Sequence, residues 1–282
     1  MNEELSSRVE RMFADLNNQA AAGSLPTPGT LASMLSKHVV GSAQTTIVAA
    51  HPKELTYFAT AAVEMWLRAV HSFLISVSLT KASPIWASVA GYYSSHYSIR
   101  AFAHLFGVFH LHKKKRIVRL DKQANHLVFR IERKQGNDRE HKFYWKCVSE
   151  HPQLATDPFF YASKDDEPES DGAHRNKANY SDHIDRFPVF LPLEAQYLSD
   201  RVERISNIEF SDVPVPSADK FPDLDNVQVI AYHRLVKFRQ LLDEALGSGN
   251  RFWKVQRSPS WCPNTMQFSV VEPVFAALYA RK

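Results

Sequence analysis

Ser83–Gly107, SPIWASVAGYYSSHYSIRAFAHLFG, reads as one helix. Ser83 is a suitable N-cap, and Pro84 fits the first helical position, where its missing N–H costs nothing. Gly107 supplies a left-handed stop. Ile85, Val89, Tyr92, Ile99, Phe102, Ala103 and Phe106 lie mostly on one broad face, as in a helix packed into a core. Tyr93, His96 and Arg100 are spaced by three and four, so they share a stripe beside the apolar face. A stripe there is either a polar site between helices or a set of buried polar groups satisfied by their neighbours. The second is the commoner outcome.

Glu54–Lys81 is the natural partner of that helix. Phe58, Ala61, Ala62, Met65, Trp66, Ala69, Phe73 and Val77 form a wide apolar stripe. Glu64, Arg68, His71 and Lys81 interrupt it, and no uninterrupted apolar run approaches the ~20 residues of a membrane span. The short junction at Lys81–Ser83 makes the two helices an antiparallel hairpin. Upstream, Leu5, Val9, Met12, Phe13 and Leu16 predict an amphipathic helix over Glu3–Ala22, and Thr30 caps a second helix over Leu31–Val40. The run containing Thr45–Ala50 fits either a short strand or the lead into the next helix.

Beyond Gly107 the period changes. Lys113-Lys114-Lys115-Arg116 is a basic run. Leu127, Phe129 and Ile131 alternate with Val128, Arg130 and Glu132, a strand signal. Lys142–Val148, rich in aromatics, reads as a further strand after the turn at Gly136-Asn137-Asp138. Residues 108–148 thus predict a small antiparallel sheet. Cations and aromatics interleaved on such strands (Arg130, Arg133, Lys142, Tyr144, Trp145) suit a phosphate backbone and stacked bases, although edge protection and core packing explain them as well. His104, His110 and His112 read as solvent-exposed strand and turn residues beside the basic run. Metal chelation by His110 and His112 is the less favoured alternative.

Asp165–Gly172, DDEPESDG, is a solvated acidic loop without calcium-loop spacing. A helical stretch follows, opening with His174-Arg175-Asn176-Lys177-Ala178-Asn179-Tyr180, and another runs from Pro192 to Ile205. Leu224, Val227, Ala231, Leu235, Phe238, Leu242 and Ala245 mark a clear helix over Asp223–Leu246. Asn250–Pro263 reads as an irregular packed segment, and Met266–Tyr279 as a last strand or helix.

YYSSHYSIRA at 92–101 and RNKANY at 175–180 together resemble two signature segments of the HEPN superfamily, small helical bundles that often cleave or bind RNA. The resemblance spans Glu54–Leu198. Tyr92, Tyr93, Arg100 and Ala101 fit the first segment, with His96 one place earlier than the usual pattern. Arg175 and Asn176 fit the second, with Tyr180 where active members carry His. Together with the patterns along the chain, the resemblance predicts a mainly α fold: a HEPN-like helical bundle over 51–210, into which the alternating stretch at 108–148 inserts a small antiparallel sheet, with the periodicity adding an N-terminal helical segment over 1–50 and a helical C-terminal extension over 211–282. The resemblance further implies an RNA-directed protein, in the active case a metal-independent endoribonuclease in a defence or toxin setting. There the ribose 2′-OH attacks the adjacent phosphate. Arg175 holds the phosphate, His183 (or else His96 or His174) moves the proton, and Asn179 and Tyr180 position the substrate. Lys113, Lys114, Lys115, Arg116 and Arg100 are the expected RNA contacts. The alternative is a non-catalytic binding or assembly subunit. RNA, a partner protein and a second copy of the chain are the expected partners, with no membrane, metal or cofactor.

Composition agrees with a globular core. Of 282 residues, 44% are hydrophobic and 23% charged, and the formal net charge of +4 permits a nucleic-acid partner without demanding one. Two cysteines exclude a disulfide framework or a cysteine-based zinc site, which points to a reducing, cytoplasmic setting. The charged start MNEELSSRVE has no secretory apolar core. Gly-x-Gly-x-x-Gly, phosphate-loop, His-Glu-x-x-His and Gly-x-Ser-x-Gly patterns are absent from the sequence.

Overall fold

The computed structural model describes residues 3–21, 31–39, 41, 43–80, 83–124, 126–135, 140–161, 203–205 and 224–247. The helix expected from Arg175, most of that expected over Pro192–Ile205, and the two C-terminal segments lie outside the described residues. The elements are α1 (Glu3–Ala21), α2 (Leu31–Ser36), β1 (Thr45–Ala49), α3 (Pro52–Leu79), α4 (Pro84–Leu105), β2 (Val108–Leu111), a 3-10 turn (His112–Lys114), β3 (Arg116–Gln123), β4 (His126–Arg133), α5 (Glu140–Ser149), α6 (Pro158–Tyr161) and, numbered α7 here, Leu224–Leu246. The protein is mostly helical with one small antiparallel sheet.

It divides into two compact units, each built from separate stretches of chain. The first comprises Met1–Met65, Ile99–Gln153 and Arg239–Arg257. Its four-stranded sheet has the order β1-β4-β3-β2, antiparallel throughout, with Thr46 opposite Ile131, Val118 opposite Ile131 and Phe109 opposite Val118. Val118, Leu120, Phe129 and Ile131 are buried, and Phe129 stacks on Phe58 of α3 at 6.0 Å. All five apolar residues expected on α1 are buried, and Arg8 of that helix donates to the Phe106 carbonyl at 3.0 Å. Gly107 ends α4 at φ 75°, and a Cβ there would lie 2.5 Å from Leu120 Cβ. Glycine therefore serves both the turn and the approach of β3.

One open alternative is settled here and two sequence expectations change. Residues 45–49 form a strand, pairing with β4, so the sheet recruits a piece of chain far from the 108–148 insertion. The second helix stops at Ser36. Residues 142–148 are not a strand but part of helix α5. In a strand, burying Tyr144 and Val148 on one face would have buried Lys146 too. As a helix the segment buries Phe143, Tyr144 and Val148 and leaves Lys142 and Lys146 exposed. Burial overrides the strand preference of its aromatics.

The second unit comprises Trp66–Ser98, Leu154–Phe238 and Ser258–Lys282. Its described core is the part of the α3–α4 hairpin over residues 66–98 with α7 up to Phe238. Ser76 Oγ donates to the Ala87 carbonyl at 2.7 Å and Ser94 Oγ to the Ala69 carbonyl at 2.8 Å, two bonds that fix the antiparallel register. Gln228 of α7 reaches Ser76 Oγ at 3.0 Å and Thr80 Oγ1 at 2.9 Å. Trp66 Nε1 donates to the Leu235 carbonyl at 3.0 Å. Gly91 lets α4 and α7 meet: a Cβ there would stand 2.6 Å from Val227 Cγ1. By length and composition α3 could cross a membrane, but 61% of its apolar window is buried inside the protein, as in a core helix.

Candidate functional site

The residues of the YYSSHYSIRA segment point to different tasks. In the second unit Tyr92 and His96, one turn apart, lie with rings nearly parallel at 6.3 Å. Tyr97 lies 5.8 Å from His96 and 6.0 Å from Tyr93. His96 is only 8% exposed, so this candidate proton carrier is packed among tyrosines.

Arg100 belongs to the first unit and faces α5. Its Nη2 lies 3.5 Å from Glu140 Oε1, and its guanidinium sits 5.4 Å from the Tyr144 ring centroid. Tyr144 is fully buried, and its hydroxyl oxygen accepts the backbone N–H of His110 at 3.0 Å. Burial pushes the phenol up to about 12 against the opposing charge of Arg100, so Tyr144 stays protonated. Its O–H is left to donate.

Two histidines flank this group. His104 is 1% exposed, with Nδ1 3.1 Å from the Val108 carbonyl. Because a carbonyl only accepts, Nδ1 carries the proton. Burial, then the Arg100 charge, lowers His104 to about 3, so it is neutral at working pH. His110 is 6% exposed and lies 5.3 Å from Phe143 and 5.5 Å from His112, ring to ring. Burial lowers its pKa, as do Lys134, His112 and Arg100, while Glu140 raises it. The expectation that all three of these histidines face solvent is corrected: α5 covers His104 and His110, and His112 alone is exposed. His110 Nδ1 and Arg100 Nε are buried without a hydrogen-bond partner.

The basic run forms the β2–β3 connection. Lys113, Lys114 and Lys115 are exposed, with Lys115 at φ 50°. Arg116 is buried, 3.4 Å from the Gly41 carbonyl, and so faces away from solvent. Its register partner is Arg133, which is exposed, and the Lys134 N–H donates to the Lys115 carbonyl at 2.9 Å. One end of the sheet thereby gathers Lys113, Lys114, Lys115, Arg133 and Lys134. Arg130, on the strand itself, is matched by Asp121 at 2.6 Å and Glu132 at 3.2 Å.

Arg175, Asn176, Asn179, Tyr180, His183 and His174 lie outside the described residues. Sequence reasoning missed Glu140, and it placed Tyr144 on a strand face. The available signal was the acidic residue opening a segment with Phe143, Tyr144 and Val148 at helical spacing. Among the described residues no group of three or more His, Cys, Asp and Glu is placed to hold a metal ion. No protein-family model, curated protein or solved structure matches the chain.

Proposed function

We propose that this chain is an HEPN-like, RNA-directed protein of a reducing compartment. The observation that carries the reading is the cationic end of the sheet, where exposed Lys113, Lys114, Lys115 and Arg133 gather on an antiparallel frame. A polyanion gains by neutralising several phosphates at once and releasing their counterions. The α3–α4 hairpin that carries Tyr92, Tyr93, Arg100 and Ala101 is compatible with the helical bundle the resemblance implies.

In the catalytic form, Arg175 stabilises charge on the phosphate oxygens while His183 moves the proton. The non-catalytic form is favoured by two observations: Tyr180 stands at the family's histidine position, and His96 is buried among tyrosines. Incubating the purified chain with mixed RNA in a chelator, beside Arg175→Ala, separates the forms. The catalytic form gives cleavage that the variant loses by about a hundredfold or more. The binding form gives RNA retention without cleavage in either protein. Absence of both retention and cleavage contradicts the whole reading.

A further inference from the structure

The Arg100 cluster is rich in donors and poor in acceptors. Arg100 Nε is buried with no partner, and so is His110 Nδ1. Tyr144 uses its oxygen to accept from His110 and keeps its O–H to donate. Glu140 is the carboxylate set against them, and its 3.5 Å approach to Arg100 is long for a charge-assisted bond. Buried polar atoms left unmatched demand a reason, and an ion is one of the few available.

We infer that Arg100, His110 and Tyr144, with His112 and Lys134 at the rim, form a seat for a tetrahedral oxyanion of the phosphate type, for which the Glu140 carboxylate competes. The guanidinium and phenol supply fixed donors, and the imidazole becomes a cation with both nitrogens donating by taking a proton as the anion arrives. Burial lowers His110 first, and the neighbours that lower it further, Lys134 and Arg100 among them, carry charge that an oxyanion would neutralise, while His104 is held neutral by burial and stays a spectator. Anion binding therefore takes up a proton, and affinity rises as pH falls. The seat adjoins the Lys113–Lys115 turn through His112, so an RNA terminal phosphate and a free phosphate are its two sources. Only the choice of source rests on the RNA reading.

Sulfate is the first probe, because its charge is constant across the range tested. Calorimetric titration at fixed ionic strength should give binding about tenfold tighter at about pH 6 than at about pH 8. His110→Gln should abolish that difference. Glu140→Gln, at a partly exposed position that the fold tolerates, should tighten binding severalfold at both values, whereas Glu10→Gln, removing the same charge from exposed α1, should leave it unchanged. Affinity that ignores pH, or responds equally to Glu10→Gln and Glu140→Gln, overturns the seat, as does absence of binding in both wild type and Glu140→Gln. Inorganic phosphate and a short RNA with or without its 5′-phosphate then identify the source. Preference for the phosphorylated RNA assigns an RNA end. Phosphate binding with no response to either RNA keeps the seat and contradicts the RNA reading.

Discussion

At the scale of single residues, buried histidines govern the acid limit of the fold. His104 is lowered to about 3. His151, stacked on Phe106 at 3.6 Å, is lowered to about 4 by burial and by Arg8, against the pull of Glu4. In both, the folded value lies below the unfolded one, so the unfolded chain binds more protons between them. Their stabilisation is complete above the ordinary histidine pKa and drains away as pH falls through about 6.5 towards 4 and then 3. A fully buried histidine contributes a slope of up to about 1.4 kcal/mol per pH unit in that window, and partly buried His151 less. Melting temperature should therefore fall steadily from about pH 6 to about pH 4, and His151→Phe, which keeps the stack on Phe106, should flatten part of the fall. A melting temperature constant across the window contradicts this. Gly107→Ala should cost about 1–3 kcal/mol, read by denaturant midpoint, because it combines positive φ with a Cβ pressed onto Leu120. Gly107 was legible in the sequence as a helix stop. Burial of His104 and His110 was not, since it depends on α5 packing over β2, a contact across more than thirty residues.

At the scale of elements, local pattern reached the helices and stopped at the pairings. Spacing placed α3, α4 and α7 within about two residues of their ends, because each buries a stripe of period 3.6. The alternation of Leu127, Phe129 and Ile131 likewise announced β4. α5 was misread because Phe, Tyr, Trp and Val favour strands, and only the packing of Tyr144 against Arg100 and His104 decides otherwise. No local feature announced that β1 would pair with β4 some eighty residues away. The α4–α7 contact provides a sharp test. Alanine outranks glycine in helix propensity by about 1 kcal/mol, so Gly91→Ala on an open helix would stabilise. Here its Cβ meets Val227 Cγ1 at 2.6 Å and Ser76 Oγ at 3.1 Å. Gly91→Ala should lower stability by about 1–3 kcal/mol, and Val227→Ala in the same chain should restore part of the loss. A stabilised single variant would refute the close approach of the two helices.

At the scale of the whole molecule, a net charge of +4 is too small to hold a polyanion by general attraction. The proposed binding therefore rests on local concentration of charge, and the turn between β2 and β3 carries three exposed lysines side by side. Arg116, buried against Gly41, and Arg130, matched by Asp121 and Glu132, belong to the frame itself. The basic run was legible as a motif, but its division into three exposed lysines and one buried arginine required the sheet. The most direct measurement is RNA affinity across a salt titration for wild type and for Lys113→Gln/Lys114→Gln/Lys115→Gln, three exposed changes that leave the fold intact. At about 0.7 per phosphate contact on a single strand, the slope of log affinity against log salt should shrink by about 2 in the variant, with affinity falling at every salt concentration. Equal slopes in the two proteins, or no RNA binding by the wild type at low salt, would contradict the account.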